Sequence, residues 1–223
     1  MDPSFIIVPV VICGISFIIY MSMKKEKEKA FQIQNYCRSK GYRYFSENLN
    51  RKKRNFWFKA ENHFEKINQI CPMKFFRGTM KFSFNFTHEE QEIIISEMYY
   101  KTGSGQNKSG LQYRFGLIKT PIKRPNFMLI REHNLFSLFS SKISFPESQE
   151  FSNKYYITGD DENSIRKYFT PERIKKFELT QFPGTFEIQG EYLLYAEKNQ
   201  LSTENNKNDE FISRIKECIK LFK

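Results

Sequence analysis

The sequence predicts an α+β protein: a mainly antiparallel sheet flanked by short helices and a C-terminal amphipathic helix, behind one N-terminal transmembrane helix. Three observations predict it. Residues 5–23, FIIVPVVICGISFIIYMSM, hold no charged residue over 19 positions. The middle of the chain reads as strands joined by short loops, with helical signals gathered towards the ends, unlike the strict alternation of an α/β wrap. Near the C-terminus, Phe211, Ile212, Ile215, Cys218, Ile219 and Phe222 recur at the spacing of one buried helix face.

As a helix, the opening stretch runs roughly 28 Å, close to the thickness of a bilayer's hydrocarbon core. A cleaved signal peptide fits poorly, because the start carries Asp2 and no Lys or Arg, and no small-x-small site follows. A buried core helix fits poorly too: the uncharged run is long, and Pro9 and Gly14 within it suit membrane helices. Flanking charge sets the orientation. Only Asp2 and the α-amino group precede the run, whereas Lys24, Lys25, Lys27 and Lys29 follow it, interleaved with Glu26 and Glu28. The positive-inside rule counts the cations and largely ignores the carboxylates. The expectation is a single-pass inner-membrane protein with a short N-terminus outside. Residues 1–23 form the anchor, 24–41 a juxtamembrane stalk helix, and 42–223 a cytoplasmic α+β domain.

Aromatics make up 17% of the chain, with 24 Phe and 12 Tyr, which is core material and argues against a disordered tail. The mean hydropathy of −0.61 therefore reflects a Lys-, Asn-, Glu- and Gln-rich surface. Cys13, Cys37, Cys71 and Cys218 form no C-x-x-C pair and no regular spacing. Neither a zinc site nor a disulfide scaffold is indicated, and free thiols suit a reducing compartment.

The charge is unevenly placed. Residues 24–81 hold 16 Lys and Arg against 5 Asp and Glu, a net of +11, while residues 82–223 hold 20 against 19. The densest part is Arg51, Lys52, Lys53 and Arg54, with Arg38, Lys40 and Arg43 just before it. An anionic leaflet attracts such cations by up to about 1 kcal/mol each within a Debye length. Lys24, Lys25, Lys27, Lys29, Arg51, Lys52, Lys53 and Arg54 are thus candidate contacts with anionic lipid headgroups. A solvated basic face that merely follows the positive-inside bias is the alternative. Nucleic acid is disfavoured, because the aromatics fall into strand patterns instead of interleaving with the basic run.

Taken in order, residues 24–40 favour helix, with Ala30, Phe31, Ile33, Tyr36 and Cys37 as an apolar stripe and Gly41 as the stop. Residues 42–45 read as a short strand, 46–54 as a basic connection, and 55–70 as partly helical. Met80, Phe82, Phe84 and Phe86 alternate with polar residues, the pattern of a half-buried strand. Residues 88–91 read as a turn, 93–101 as a strand, 102–110 as a loop and 111–119 as a strand. Pro121 and Pro125 are expected to break the pairing before a further strand at 126–131. A strand is expected within 151–158, then a turn at 159–161 and a short helix at 164–168. Thr170 and Pro171 open a helix ending by Leu179, with Thr as cap and Pro in the first helical position. A hairpin turning near Gly190 and a polar linker at 198–208 lead to the last helix at 209–222.

The search for chemistry finds little. Residues 103–109, GSGQNKS, lack the Gly directly before the Lys and the following helix that a phosphate loop requires. His63, His88 and His133 are scattered without metal-ligand spacing. Asp160, Asp161 and Glu162 sit where a turn enters a helix, and acids there favour its positive end. No nucleophilic triad, metal site or cofactor is expected.

Residues 145–179, FPESQEFSNKYYITGDDENSIRKYFTPERIKKFEL, resemble a motif of uncharacterised, membrane-anchored bacterial proteins classed as domains of unknown function. Its parts are an aromatic-anchored strand, an acidic turn, a short helix and a Thr-Pro-opened second helix. Phe151, Tyr155, Asp161, Tyr168, Thr170 and Pro171 fill those places. SKGYRYF, RGTMKFSFNF, YYKTGSGQNKSGLQY and GEYLLYAE resemble further parts, so the likeness covers most of 38–197. It implies a bacterial inner-membrane protein and brings no activity or site residues. The expected function is a non-enzymatic module binding an unidentified protein partner or the membrane surface. The alternative is an enzyme acting on lipid or cell-envelope precursors, with a dispersed active site.

Overall fold

The computed structural model describes residues 4–46, 79–102, 109–131, 142–180, 182–199 and 201–222. In chain order these form α1 (Ser4–Ser39), β1 (Arg43–Ser46), β2 (Thr79–His88), β3 (Gln91–Thr102), β4 (Ser109–Arg131), α2 (Gln149–Lys154), β5 (Tyr155–Gly159), α3 (Glu162–Tyr168), α4 (Pro171–Leu179), β6 (Thr185–Glu197) and α5 (Asn205–Leu221). The class is α+β with an antiparallel six-stranded sheet, as the strand patterning requires. Strands β1 to β4 form a meander. The long β4 is the hub: β6 runs along one edge, while β3 and then β5 share the other.

Local chemistry sets the boundaries. Gly41, at φ +72°, ends α1 in the left-handed conformation that glycine adopts freely. The β2–β3 turn places Glu89 and Glu90 at φ 48° and 64°, the two-residue turn whose twist matches the flanking strands. Ser148, Asp161 and Thr170 cap α2, α3 and α4, each accepting a hydrogen bond from the backbone N–H three residues on. The last helix opens at Asn205, so residues 205–208, read from sequence as linker, are helical.

Two expected breaks are not breaks. Pro121 and Pro125 lie inside the single 23-residue β4, and Gly190 lies inside the single 13-residue β6. The β4–β6 ladder shifts register between Lys119 and Arg124 and again before Phe127, so all three residues sit at one bulged region. There a proline costs no ladder hydrogen bond. Gly190 takes φ +56° and donates its N–H to Asn126 Oδ1 at 2.9 Å. The buried Arg124 braces the region, donating to Thr120 Oγ1, to Ile122 O and, at 2.9 Å, to Phe222 O.

The five helices of the described residues pack on one face of the sheet. Register places Phe84, Ile95, Gly116 and Tyr195 in one row on that face. Tyr36 of α1 meets Phe84, and Phe211 of α5 stacks on Tyr195. Further along, Phe151, Phe169 and Phe177 from the α2–α4 region form an aromatic cluster over Phe127, Tyr155 and Phe186. The neighbouring row on the opposite face, Ser83, Ser96, Phe115 and Ala196, is also buried. Ala30, Ile33, Tyr36 and Cys37 belong to the helix-side core, so the second half of α1, read as a stalk, packs as part of the folded body. Phe31, assigned to the same stripe, is instead 60% exposed, because one step along a helix turns about 100°.

Candidate functional site

The most unusual surface is the outer part of α1. Ile15, Phe17, Ile18, Ile19, Tyr20 and Met23 are 54–68% exposed. Residues 15–20 are exposed without interruption, and six consecutive helical positions point in every direction around the axis. Soluble helices hide one face and wet the other; a helix apolar all round belongs in apolar surroundings. Among the described residues no helix is long and apolar enough to cross a membrane. The side chains of residues 5–14, the first part of the proposed anchor, lie outside the described residues.

The predicted basic contacts divide. Lys24, Lys25 and Lys27 are exposed directly below the apolar turns. Lys29 points inward: its Nζ donates to Glu97 Oε2 at 2.7 Å, and Glu97 is 1% exposed. Arg51, Lys52, Lys53 and Arg54 lie outside the described residues. Arg38 and Lys40 stand about 22 and 26 Å past Met23 along the helix, well over two Debye lengths away. Proximity in sequence to the apolar run is therefore not proximity in space.

The inner part of α1 is fastened to the body by polar contacts as well as packing. Glu97 also accepts from Leu201 N at 2.8 Å. Tyr36 donates its hydroxyl to Asp209 Oδ1 at 2.7 Å, and Lys40 Nζ donates to Asp209 Oδ2 at 3.1 Å. Burial, then the bond to Asp209, raises the Tyr36 phenol above its usual range. The bond from Tyr36 in turn holds the Asp209 carboxyl below the ordinary carboxylate range.

Beside this footing, Glu97, Arg114 and Glu197 lie in one cross-strand row. Arg114 donates through Nε and Nη2 to Glu197 Oε2, at 3.0 and 2.6 Å. Arg214 reaches the same carboxylate at 2.7 Å, and Tyr195 donates its hydroxyl to it at 2.7 Å. The Arg114 guanidinium lies 4.5 Å from the centre of the Phe211 ring. Every charge in this cluster has a partner, so it locks β4, β6 and α5 together. The sequence does not reveal it, since its members lie up to 117 positions apart and its charged residues read as surface.

The remaining chemical candidates resolve structurally. Asp161 caps α3, and His88 Nε2 lies 3.8 Å from Glu89 Oε1. His63, His133 and residues 103–108 lie outside the described residues. No group of metal-ligating side chains occurs among the described residues. A groove of about 300 Å³ opens between α2 and α4, lined by Glu147, Ser148, Pro171, Ile174, Lys175 and Glu178. Of the motif residues, Phe151 and Tyr155 are buried in the aromatic cluster, and Thr170 and Pro171 open α4.

No protein-family model matches the chain, and no curated protein matches it. Among solved structures it is similar to the mycobacterial trehalose monomycolate transport factor A, TtfA, with a TM-score of 0.49 and 9% identity, covering 87% of this chain and 94% of that one. A likeness at that level carries no argument about function.

Proposed function

We propose that the protein is a membrane-attached binding module. In this reading α1 is a single N-terminal span, and the α+β body hangs at the cytoplasmic face of a bacterial inner membrane, where it engages a protein partner. The observation that carries it is the unbroken exposure of residues 15–20 around the whole circumference of α1. Their apolar area is on the order of 700 Å², above the few hundred Å² usual for a soluble monomer's largest patch. Apart from Ser16, each of these side chains favours transfer to apolar surroundings by roughly 1 kcal/mol, and they act together. Lys24, Lys25 and Lys27 then stand at headgroup level, on the side the positive-inside rule assigns to the cytoplasm. Binding is favoured over catalysis because the charges around Glu197 are spent on each other and the groove described between α2 and α4 holds only about 300 Å³.

Flotation of the full-length chain with lipid vesicles tests the reading. The unaltered protein should float with the vesicles and resist alkaline extraction. The double variant Phe17→Asp and Ile18→Asp should lower partitioning by about 4 kcal/mol, roughly a thousand-fold, from the cost of acids in lipid. An unaltered chain that remains at the bottom of the gradient would refute the proposal.

A further inference from the structure

We infer that the outer end of the β3–β4 hairpin, residues 99–102 with 109–111, is a second membrane contact, seated in the lipid interface beside α1. The inference deepens the membrane reading above and rests on it. Its basis is the direction and reach of the hairpin. Contacts fix the direction. Lys29 Nζ lies 5.6 Å from the Phe82 ring centre, Tyr36 meets Phe84 at 6.3 Å, and Tyr42 stacks on Phe86 at 4.6 Å. So α1 runs the same way as β2 and opposite to β3, whose Glu97 pairs with Phe82. Following α1 back from Lys29 towards its exposed apolar turns is therefore following β3 forward from Glu97.

Reach comes from the two rises. From Lys29 back to Met23 the helix covers about 9 Å. From Glu97 onward β3 continues five residues, paired with β4 as far as Thr102 opposite Ser109, and covers about 17 Å. Between Lys29 and Tyr36 the helix rises about 10 Å while the strand residues they face, Phe82 and Phe84, advance about 7 Å, an inclination of about 50°, so the arm projects about 11 Å along the helix. It therefore arrives at the level where Met23 gives way to Lys24. Residues 99–102 read Tyr-Tyr-Lys-Thr, and Tyr with Lys is the composition favoured at a membrane–water boundary. The occupant of this end is the lipid headgroup layer of the same bilayer that holds α1.

The test places an environment-sensitive fluorophore on single cysteines of the full-length chain reconstituted in phospholipid vesicles. Cys13 and Cys71 are replaced by Ser; Cys37 and Cys218 are buried and stay. Labels go at Phe17→Cys, at Tyr100→Cys, at its neighbour Lys101→Cys, and at Thr87→Cys, an exposed site towards the far end of β2. Circular dichroism melts confirm that each labelled chain is folded, and the two hairpin sites guard against one failing. The expected result is a blue shift and loss of emission with quencher-bearing lipids at position 17 and at 100 or 101, and neither at 87. Quenching at 17 with water-like emission at both 100 and 101 would overturn the inference and leave the membrane reading standing. Water-like emission at 17 would overturn both.

Discussion

Glu187 makes the folded chain sensitive to pH in a way that one substitution should remove. It lies on β6 between Phe186 and Ile188, which face the helices, so it faces the other side of the sheet, 6% exposed. Its Oε2 has no hydrogen-bond partner among the described residues, and burial pushes its carboxyl from 4.5 up to about 8. The folded state thus keeps a proton that the unfolded chain releases above pH 4.5, so stability falls as pH rises through that window and levels off above about 8. At pH 7 the loss amounts to about 3 kcal/mol, taking 1.36 kcal/mol per unit over the interval from the unfolded value. Glu187→Gln keeps the shape and removes the charge. Urea unfolding of the full chain in detergent, read by circular dichroism at pH 5, 6, 7 and 8, gives the difference in stability between variant and parent. The variant's advantage should be larger at pH 7 than at pH 5 by about 2–3 kcal/mol. A difference that stays constant with pH would show that Glu187 is ionised in the folded protein, and the reasoning would fail.

Other substitutions test the rest of the framework. Glu197→Ala leaves the buried Arg114 and the half-buried Arg214 without their carboxylate and should destabilise the fold by about 3–5 kcal/mol in the same unfolding assay. Burial works to raise the Glu197 carboxyl, but bonds from Arg214, Tyr195 and Arg114 win and hold it low. Its contribution is therefore present above the unfolded carboxylate value and should fade as acid is added, the reverse of Glu187. Gly159→Ala would set a methyl 2.5 Å from the backbone oxygen of Asn126 and as close to Ile165, costing about 1–3 kcal/mol by urea melt. Gly41→Ala meets nothing within 4 Å but must hold φ +72°, so its cost should be about 1 kcal/mol and come from the backbone alone.

Features set by neighbouring residues were readable in the sequence. Thr170-Pro171 opens α4 and Gly41 closes α1, because capping chemistry acts over three or four positions. The alternation of Phe82, Phe84 and Phe86 reported a strand and its helix-facing side for the same reason, but not that Ser83 on the other side is buried too. Pro121, Pro125 and Gly190 misled because each was read as local punctuation, whereas the bulge that accommodates them exists only once β4 and β6 are paired. The candidate site divides likewise. The apolar run and the lysines after it are continuous in sequence and were visible. The turn of Lys29 towards Glu97, and the cluster at Glu197, depend on which distant residues the sheet brings together.

The absence of any glycine or proline in α1 between Gly14 and Gly41 has a mechanical meaning. With no hinge between the greasy turns and the buried ones, the shaft and the body rotate as one piece, like a key and its bit. Each residue spliced between Met23 and Lys29 would swing the body by about 100° around the shaft and push it about 1.5 Å further out. The azimuth at which the body greets anything beside it is thus written in the residue count of a short lysine-rich collar.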